Sequence, residues 1–184
     1  GDDNMVSTFA RLTAGLVLLP AICAVAQAAE PVRVLDGFDD PSTWRVVTSN
    51  QVSGALRSVA GVEGKGLCLD YDFNGVSGHA GIQRDLVLEY PANYQFAFQL
   101  RGDSPRNDLQ FKLIDASGDN VWWVNRPKYD FPTAWTPVRY KTRHIDKAWG
   151  PDPDRVLRRS VRLEYTVYNN AGGKGSVCFD KLTF

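Results

Sequence analysis

The sequence predicts an all-β protein, an antiparallel β-sandwich of jelly-roll type, on three observations. After residue 30, apolar residues recur at every second position. Gly, Asp, Asn and Pro interrupt these runs, and no segment there shows the spacing of an amphipathic helix. Strands that are apolar on one side only must bury that side, and two such sheets packed face to face make a sandwich.

The first thirty residues stand apart. Met5 to Arg11 carries one positive charge, the 18 residues 12–29 are uncharged and rich in Leu, Val and Ala, and Ala26-Gln27-Ala28 forms an A-x-A site. This pattern is that of a secretory signal peptide over 1–28, including a short N-terminal extension at 1–4, with a sandwich at 29–184 that is secreted or periplasmic. An uncharged run of this length approaches the ~20 residues of a membrane anchor. Pro20 and the small-residue tail argue against an anchor, and bulky Ile22 before Cys23 argues against lipidation.

The strands follow in order. The clearest alternations are Leu67, Leu69, Tyr71 and Phe73; Tyr94, Phe96, Phe98 and Leu100; Leu109, Phe111 and Leu113; and Val161, Leu163, Tyr165 and Val167. Weaker strands fit 44–48, 55–59, 81–88, 121–126, 136–143 and 176–183. Asp115–Asn120 has the residues of a hairpin loop, and Asn169–Gly175 reads as another before the last strand. The strand pattern runs to Phe184, which leads us to expect further domains in the same polypeptide.

Composition narrows the function. At 184 residues the chain is one ordinary domain. Lys+Arg and Asp+Glu both number 21, and removing 1–28 leaves a net charge of +1, so no field favours nucleic acid or an anionic membrane. The two His, at 79 and 144, exclude an HExxH metal site, and three Cys are too few for a stapled miniature scaffold. Cys68 and Cys178 each lie mid-strand. They form a bridge if those strands are neighbours and are two small buried apolar groups if not.

The start Leu35–Asp40 (LDGFDD) followed by Trp44, and the end Gly172–Phe184 (GGKGSVCFDKLTF), bracket the sandwich. Together with GHAGIQRDLVLEYP and LQFKLIDASGDNVWWVNR between them, they resemble the galactose-binding-like jelly rolls. These include the family 11 carbohydrate-binding modules and the modules that precede discoidin-type domains in bacterial secreted proteins. The resemblance implies a non-catalytic module that binds a polysaccharide or oligosaccharide on an outer sheet face. It also implies a structural Ca²⁺ between the first and last strands, with Asp39 of Gly37-Phe38-Asp39 and Asp180 of Phe179-Asp180 at the ligand positions. A hard cation of that kind takes six to eight oxygens. Asp39 stands where the family carries the longer Glu.

Sugar sites combine an aromatic platform for the C–H faces of the rings with polar side chains for the hydroxyls. Trp122 and Trp123 share a strand and point to opposite faces. Trp122 is assigned to the core, and Trp123, with Asn125 on its side, to the platform. Trp44 and Trp135 are assigned to the core, and Tyr129 and Trp149 are loop aromatics placed as sugar contacts. Three outward polar rows accompany them: Gln95, Gln99 and Arg101; Gln110 and Lys112; and the basic Arg139, Lys141 and Arg143. The basic row suits an acidic glycan if it faces a groove.

Enzyme signatures are missing. Gly172–Gly175 lacks the spacing and the following helix of a phosphate loop, and no GxSxG occurs. Asp70/Asp72, Asp152/Asp154 and Glu164 do not form the tight acidic cluster of a sandwich hydrolase. The other reading of the same fold is a structural or interaction module, with no sugar site, in a larger glycan-processing protein.

Overall fold

Alternating sequence becomes alternating structure. The computed structural model describes residues 8–24 and 31–184. Residues 8–24 are exposed and without regular secondary structure, and no helix among the described residues is long and apolar enough to cross a membrane. The extension at 1–4 and the Ala26-Gln27-Ala28 motif lie outside the described residues.

Residues 32–184 form one unit of twelve strands. They are β1 (Val34–Asp36), β2 (Arg45–Thr48), β3 (Ser53–Ala60), β4 (Lys65–Asp72), β5 (His79–Glu89), β6 (Gln95–Asp103), β7 (Asp108–Ile114), β8 (Val121–Arg126), β9 (Thr136–Lys141), β10 (Asp146–Trp149), β11 (Arg159–Tyr168) and β12 (Lys174–Thr183). The first sheet runs β3-β4-β12-β6-β9, with β1 also on β12, and the second runs β10-β8-β7-β11-β5-β2. All pairings are antiparallel.

The two inner faces carry the residues that the alternation assigns to them, except Val161, which a register shift between Ser160 and Arg162 leaves outside the core cluster. Leu67, Leu69 and Tyr71 of β4 and Phe96, Phe98 and Leu100 of β6 face Leu109, Phe111 and Leu113 of β7 and Leu163, Tyr165 and Val167 of β11 in one buried cluster. Rings interlock across the sheets, with Tyr165 stacked on Phe179 at 4.1 Å and edge-on to Phe98 at 5.0 Å. Offset and edge-on contacts of this kind add roughly 0.5–1.5 kcal/mol each to the burial itself. Trp44 is buried and stacks on Phe38 at 5.1 Å, as its core assignment requires.

Four expectations change. Trp135 is not core: it is half-buried on the outward side of the first sheet, where its ring edge rests on Gly66. Asn169–Gly175 is no hairpin, because β11 and β12 belong to different sheets and the loop carries the chain between them. β10 lies in the stretch assigned to loop, and β1 falls in a segment with no alternation to mark it. The question of the two cysteines is settled by pairing. β4 and β12 are neighbours with Cys68 opposite Cys178, and a disulfide joins them at a Cα separation of 3.9 Å.

One charged contact ties the sheets together inside the sandwich. Arg84 of β5 stands opposite the buried Leu163, on the inward side. Its Nη1 lies 2.6 Å from Oδ2 of Asp36 at the end of β1, with both side chains largely buried.

Candidate functional site

The outward face of the second sheet gathers polar and aromatic side chains in register. Pairing places Arg45 opposite Gln83, Gln83 opposite Glu164, Glu164 opposite Lys112, Lys112 opposite Trp123, and Trp123 opposite Asp146. This row crosses all six strands, a width of roughly 24 Å at the ordinary strand spacing. The adjacent row is Asn125, Gln110, Thr166, Gly81 and Val47, and beyond it Asp108, Tyr168 and His79 stand side by side.

The long row is also a chain of contacts. Arg45 Nε donates to Gln83 Oε1 at 3.0 Å, Gln83 Nε2 to Glu164 Oε1 at 3.0 Å, and Lys112 Nζ to Glu164 Oε2 at 3.2 Å. The Thr166 hydroxyl donates to the same carboxylate oxygen. The Lys112 ammonium lies 5.7 Å from the centre of the Trp149 ring, and Trp149 meets Trp123 edge-on at 5.4 Å. The row thus ends in an aromatic pair, and Trp149 is 48% exposed.

Burial marks the floor of this face. Gln110, Glu164 and Thr166 point away from the core yet are only 5%, 6% and 1% exposed, so neighbouring side chains stand above them. Gly81 deepens the middle, because a Cβ there would come within 2.6 Å of the Tyr165 carbonyl oxygen. Burial and the Lys112 ammonium hold the His79 imidazole below its ordinary value, with Glu164 opposing them. The charges balance locally: Lys112 faces Glu164, while Arg45 at 2.9 Å and Arg162 at 3.4 Å share Asp85.

The single set of ligand residues expected from the sequence is therefore divided. Trp123, Asn125, Gln110, Lys112 and Trp149 lie together on the second sheet. Gln95, Gln99 and Arg101 lie on β6, on the outward side of the first sheet, and do not share a face with Trp123. Arg139 and Lys141 are beside them on β9. Tyr129 joins neither face: its N–H donates to the Asn107 carbonyl and its ring packs edge-on against Phe131 at 5.0 Å. The sequence reading missed Arg45, Gln83, Thr166, Tyr168 and His79, and weighed Glu164 only as an acid catalyst. Their outward position in strands was the available signal, but nothing in the sequence says which strands lie side by side.

Asp39 and Asp180 do come together, at the turn between β3 and β4. Asp39 Oδ1 accepts from the Lys65 N–H at 2.7 Å, and Asp180 accepts from the Glu63 N–H at 3.2 Å and the Lys181 N–H at 2.8 Å. A Cβ at Gly64 would lie 2.7 Å from Asp39 Oδ1, and one at Gly61 would collide with Asp180 Oδ2. Burial raises the Asp180 carboxyl above the usual range, the Asp39 charge adds to the shift, and the backbone donors oppose it. Two hard oxygen donors crowded into one turn fit a Ca²⁺ in charge and chemistry. No group of three or more His, Cys, Asp or Glu side chains that could hold a metal occurs among the described residues.

No family model and no curated protein matches the chain. Solved structures do. The family 11 carbohydrate-binding module of the cellulosomal cellulase Lic26A-Cel5E of Clostridium thermocellum is 15% identical over 85% of this chain and 95% of its own, with a TM-score of 0.68. A family 11 module from Clostridium thermocellum in complex with a β-1,3-1,4-mixed-linked tetrasaccharide is 16% identical over 85% and 96%, with a TM-score of 0.69. An exo-β-agarase is 13% identical over 81% of this chain and 25% of its own, with a TM-score of 0.54. At such identities the likeness shows the fold, a jelly-roll β-sandwich.

Proposed function

We propose that the chain is a non-catalytic carbohydrate-binding module of an exported protein and holds a neutral glycan on the outward face of its second sheet. One observation carries this: the side chains of the row from Arg45 to Trp149 hold one another in place across all six strands. Sugar rings would stack on the Trp123–Trp149 pair, while Asn125, backed by Gln110, and Gln83 meet hydroxyls. Side chains already held in place lose little freedom on binding, which raises affinity without further contacts. Neutrality follows from the paired charges, and Glu164, at the centre, accepts from three donors. The 85% overlap with a module that binds a mixed-linked tetrasaccharide supports the reading. The A-x-A site and the disulfide support export.

Affinity electrophoresis in gels containing mixed-linked β-glucan, agarose or β-1,4-galactan tests this. At least one is expected to retard the protein, and Trp123→Ala to weaken retardation tenfold or more, ~1.4 kcal/mol per factor of ten. Gln99→Ala is expected to change nothing. If no neutral glycan retards the chain, it is better read as a structural or interaction module.

We also propose that Asp39 and Asp180 hold a structural Ca²⁺ that fastens the β3–β4 turn to β12. A ligand at a hundred times its Kd stabilises the folded state by about 2.7 kcal/mol. EDTA is therefore expected to lower the Tm by roughly 5–10 °C, with added Ca²⁺ restoring it. An EDTA-treated sample that melts with the untreated one would remove the cation from this reading.

A further inference from the structure

We propose that the outward face of the first sheet is a second binding site, for an acidic polysaccharide whose carboxylate or sulfate groups meet Arg101, Arg139 and Lys141. This goes beyond the glycan site on the other sheet and does not depend on it. Register builds the face: Lys141 pairs with Gln95, Arg139 with Ala97 and Pro137 with Gln99, and Arg101 is two residues further along β6. At the ordinary strand rise, the line from Lys141 to Arg101 spans roughly 20 Å. Asp103 follows Arg101 and closes it.

The charges here are unbalanced, in contrast to those of the second sheet. None of Arg101, Arg139 and Lys141 has a carboxylate within 4.0 Å among the described residues; Asp103, at the end of the line, forms no ion pair either, while Asp70 and Glu63 are engaged elsewhere. Asp70 is held by Arg57 at 2.8 Å and Glu63 by Lys181 at 2.9 Å. Burial pulls the His144 imidazole down, and the positive charges of Arg143, Arg126 and Lys141 add to the shift.

Arg101 is also held in place. Its guanidinium lies 5.2 Å from the centre of the Trp135 ring, and that ring rests on Gly66, where a Cβ would come within 2.9 Å of it. A stacked guanidinium keeps its edge N–H donors available, in the fork that matches a carboxylate or sulfate. Gln95 beside Lys141, and Gln99 between Arg139 and Arg101, are neutral hydrogen-bonding groups for hydroxyls. Ala97 and Pro137, the other residues of the stripe, are too small to enter a lipid layer, which favours a polysaccharide over an anionic membrane.

The test is affinity electrophoresis of the whole chain at low salt in gels containing polygalacturonate, which reads a carboxylate, or heparin, which reads sulfate. At least one is expected to retard the protein. Arg139→Gln combined with Lys141→Gln, and separately Arg101→Gln, should weaken that retardation tenfold or more, while Trp123→Ala leaves it unchanged. Each variant's Tm confirms that it folds. Failure of both polyanions to retard the chain would overturn the proposal, as would retardation that survives the charge substitutions. So would co-sedimentation with phosphatidylserine vesicles in the absence of polysaccharide binding. Because Trp123→Ala reads only the second sheet, failure on one face is distinguishable from failure on the other.

Discussion

Replacing Cys68 and Cys178 together by Ala is expected to lower stability by ~4–5 kcal/mol, the chain-entropy value for a closed loop of about a hundred residues. The bridge joins positions 110 apart, so the unfolded chain it constrains is most of the sandwich. Measured against a domain stability of ~5–15 kcal/mol, the loss is a large fraction. It corresponds to a drop in Tm of roughly 10–18 °C for a domain of this size. The double variant is a better probe than reductant, because both cysteines are buried, at 0% and 3% exposed, and a thiol reaches them only when the sheet opens. Urea titrations of the two proteins give the difference directly. Coincident midpoints would show that the bridge adds nothing to the packing around it.

The second large effect is expected at Asp36. Asp36→Ala removes the partner of Arg84, whose side chain is only 17% exposed, and leaves a charge stranded between the sheets. Breaking a buried pair from one side costs ~3–5 kcal/mol, more than removing both partners, since the remaining ion has lost its compensation. Asp36 has a further duty: its Oδ1 accepts from the Phe38 N–H at 2.7 Å and shapes the turn that delivers Phe38 to Trp44. Asp36→Asn separates the two roles, because the amide oxygen can still accept that bond while the charge is gone. Adding Arg84→Met to Asp36→Asn should recover part of the stability lost by Asp36→Asn alone. If the double variant is no better than the single, the contact between Asp36 and Arg84 is not what holds this corner.

The sandwich was readable because its long strands alternate cleanly. β4, β6, β7 and β11 each place three or more apolar residues on one parity, and all of these but Val161 reach the core. β1 and β10, of three and four residues, are too short to show a period. β10 looked like loop because Pro151 and Pro153 follow it. Trp135 was assigned to the core from its place at a strand start beside other apolar positions. Its place depends on Gly66, a residue 69 positions away whose missing side chain makes room for a ring on the outer surface.

The candidate site was half legible for a related reason. Parity tells which side of a strand a residue occupies, so Trp123 and Gln110 were placed outward correctly. It does not tell which strands are neighbours. Gln99 and Trp123 have the same outward character, and only the pairing of β6 with β9 and β12, and of β8 with β7 and β10, sends them to different sheets. Arg84 carried an unused clue: it occupies the inward parity of β5, two residues beyond Ile82. A charge at such a position requires a partner, and the sequence could not say that Asp36 supplies it.

The place of β12 governs how the protein can be made. It is the last strand of the sandwich in sequence, yet it lies in the middle of the first sheet, with β4 on one side and β6 on the other. Until Lys174–Thr183 emerge from the ribosome, β4 and β6 have no common neighbour and Cys68 has no mate. Assembly must therefore wait for synthesis to pass this strand, and closing such distant pairings is intrinsically slow. A nascent chain stalled before residue 174 should remain open to proteases, and chaperones that shield it would act at that stage.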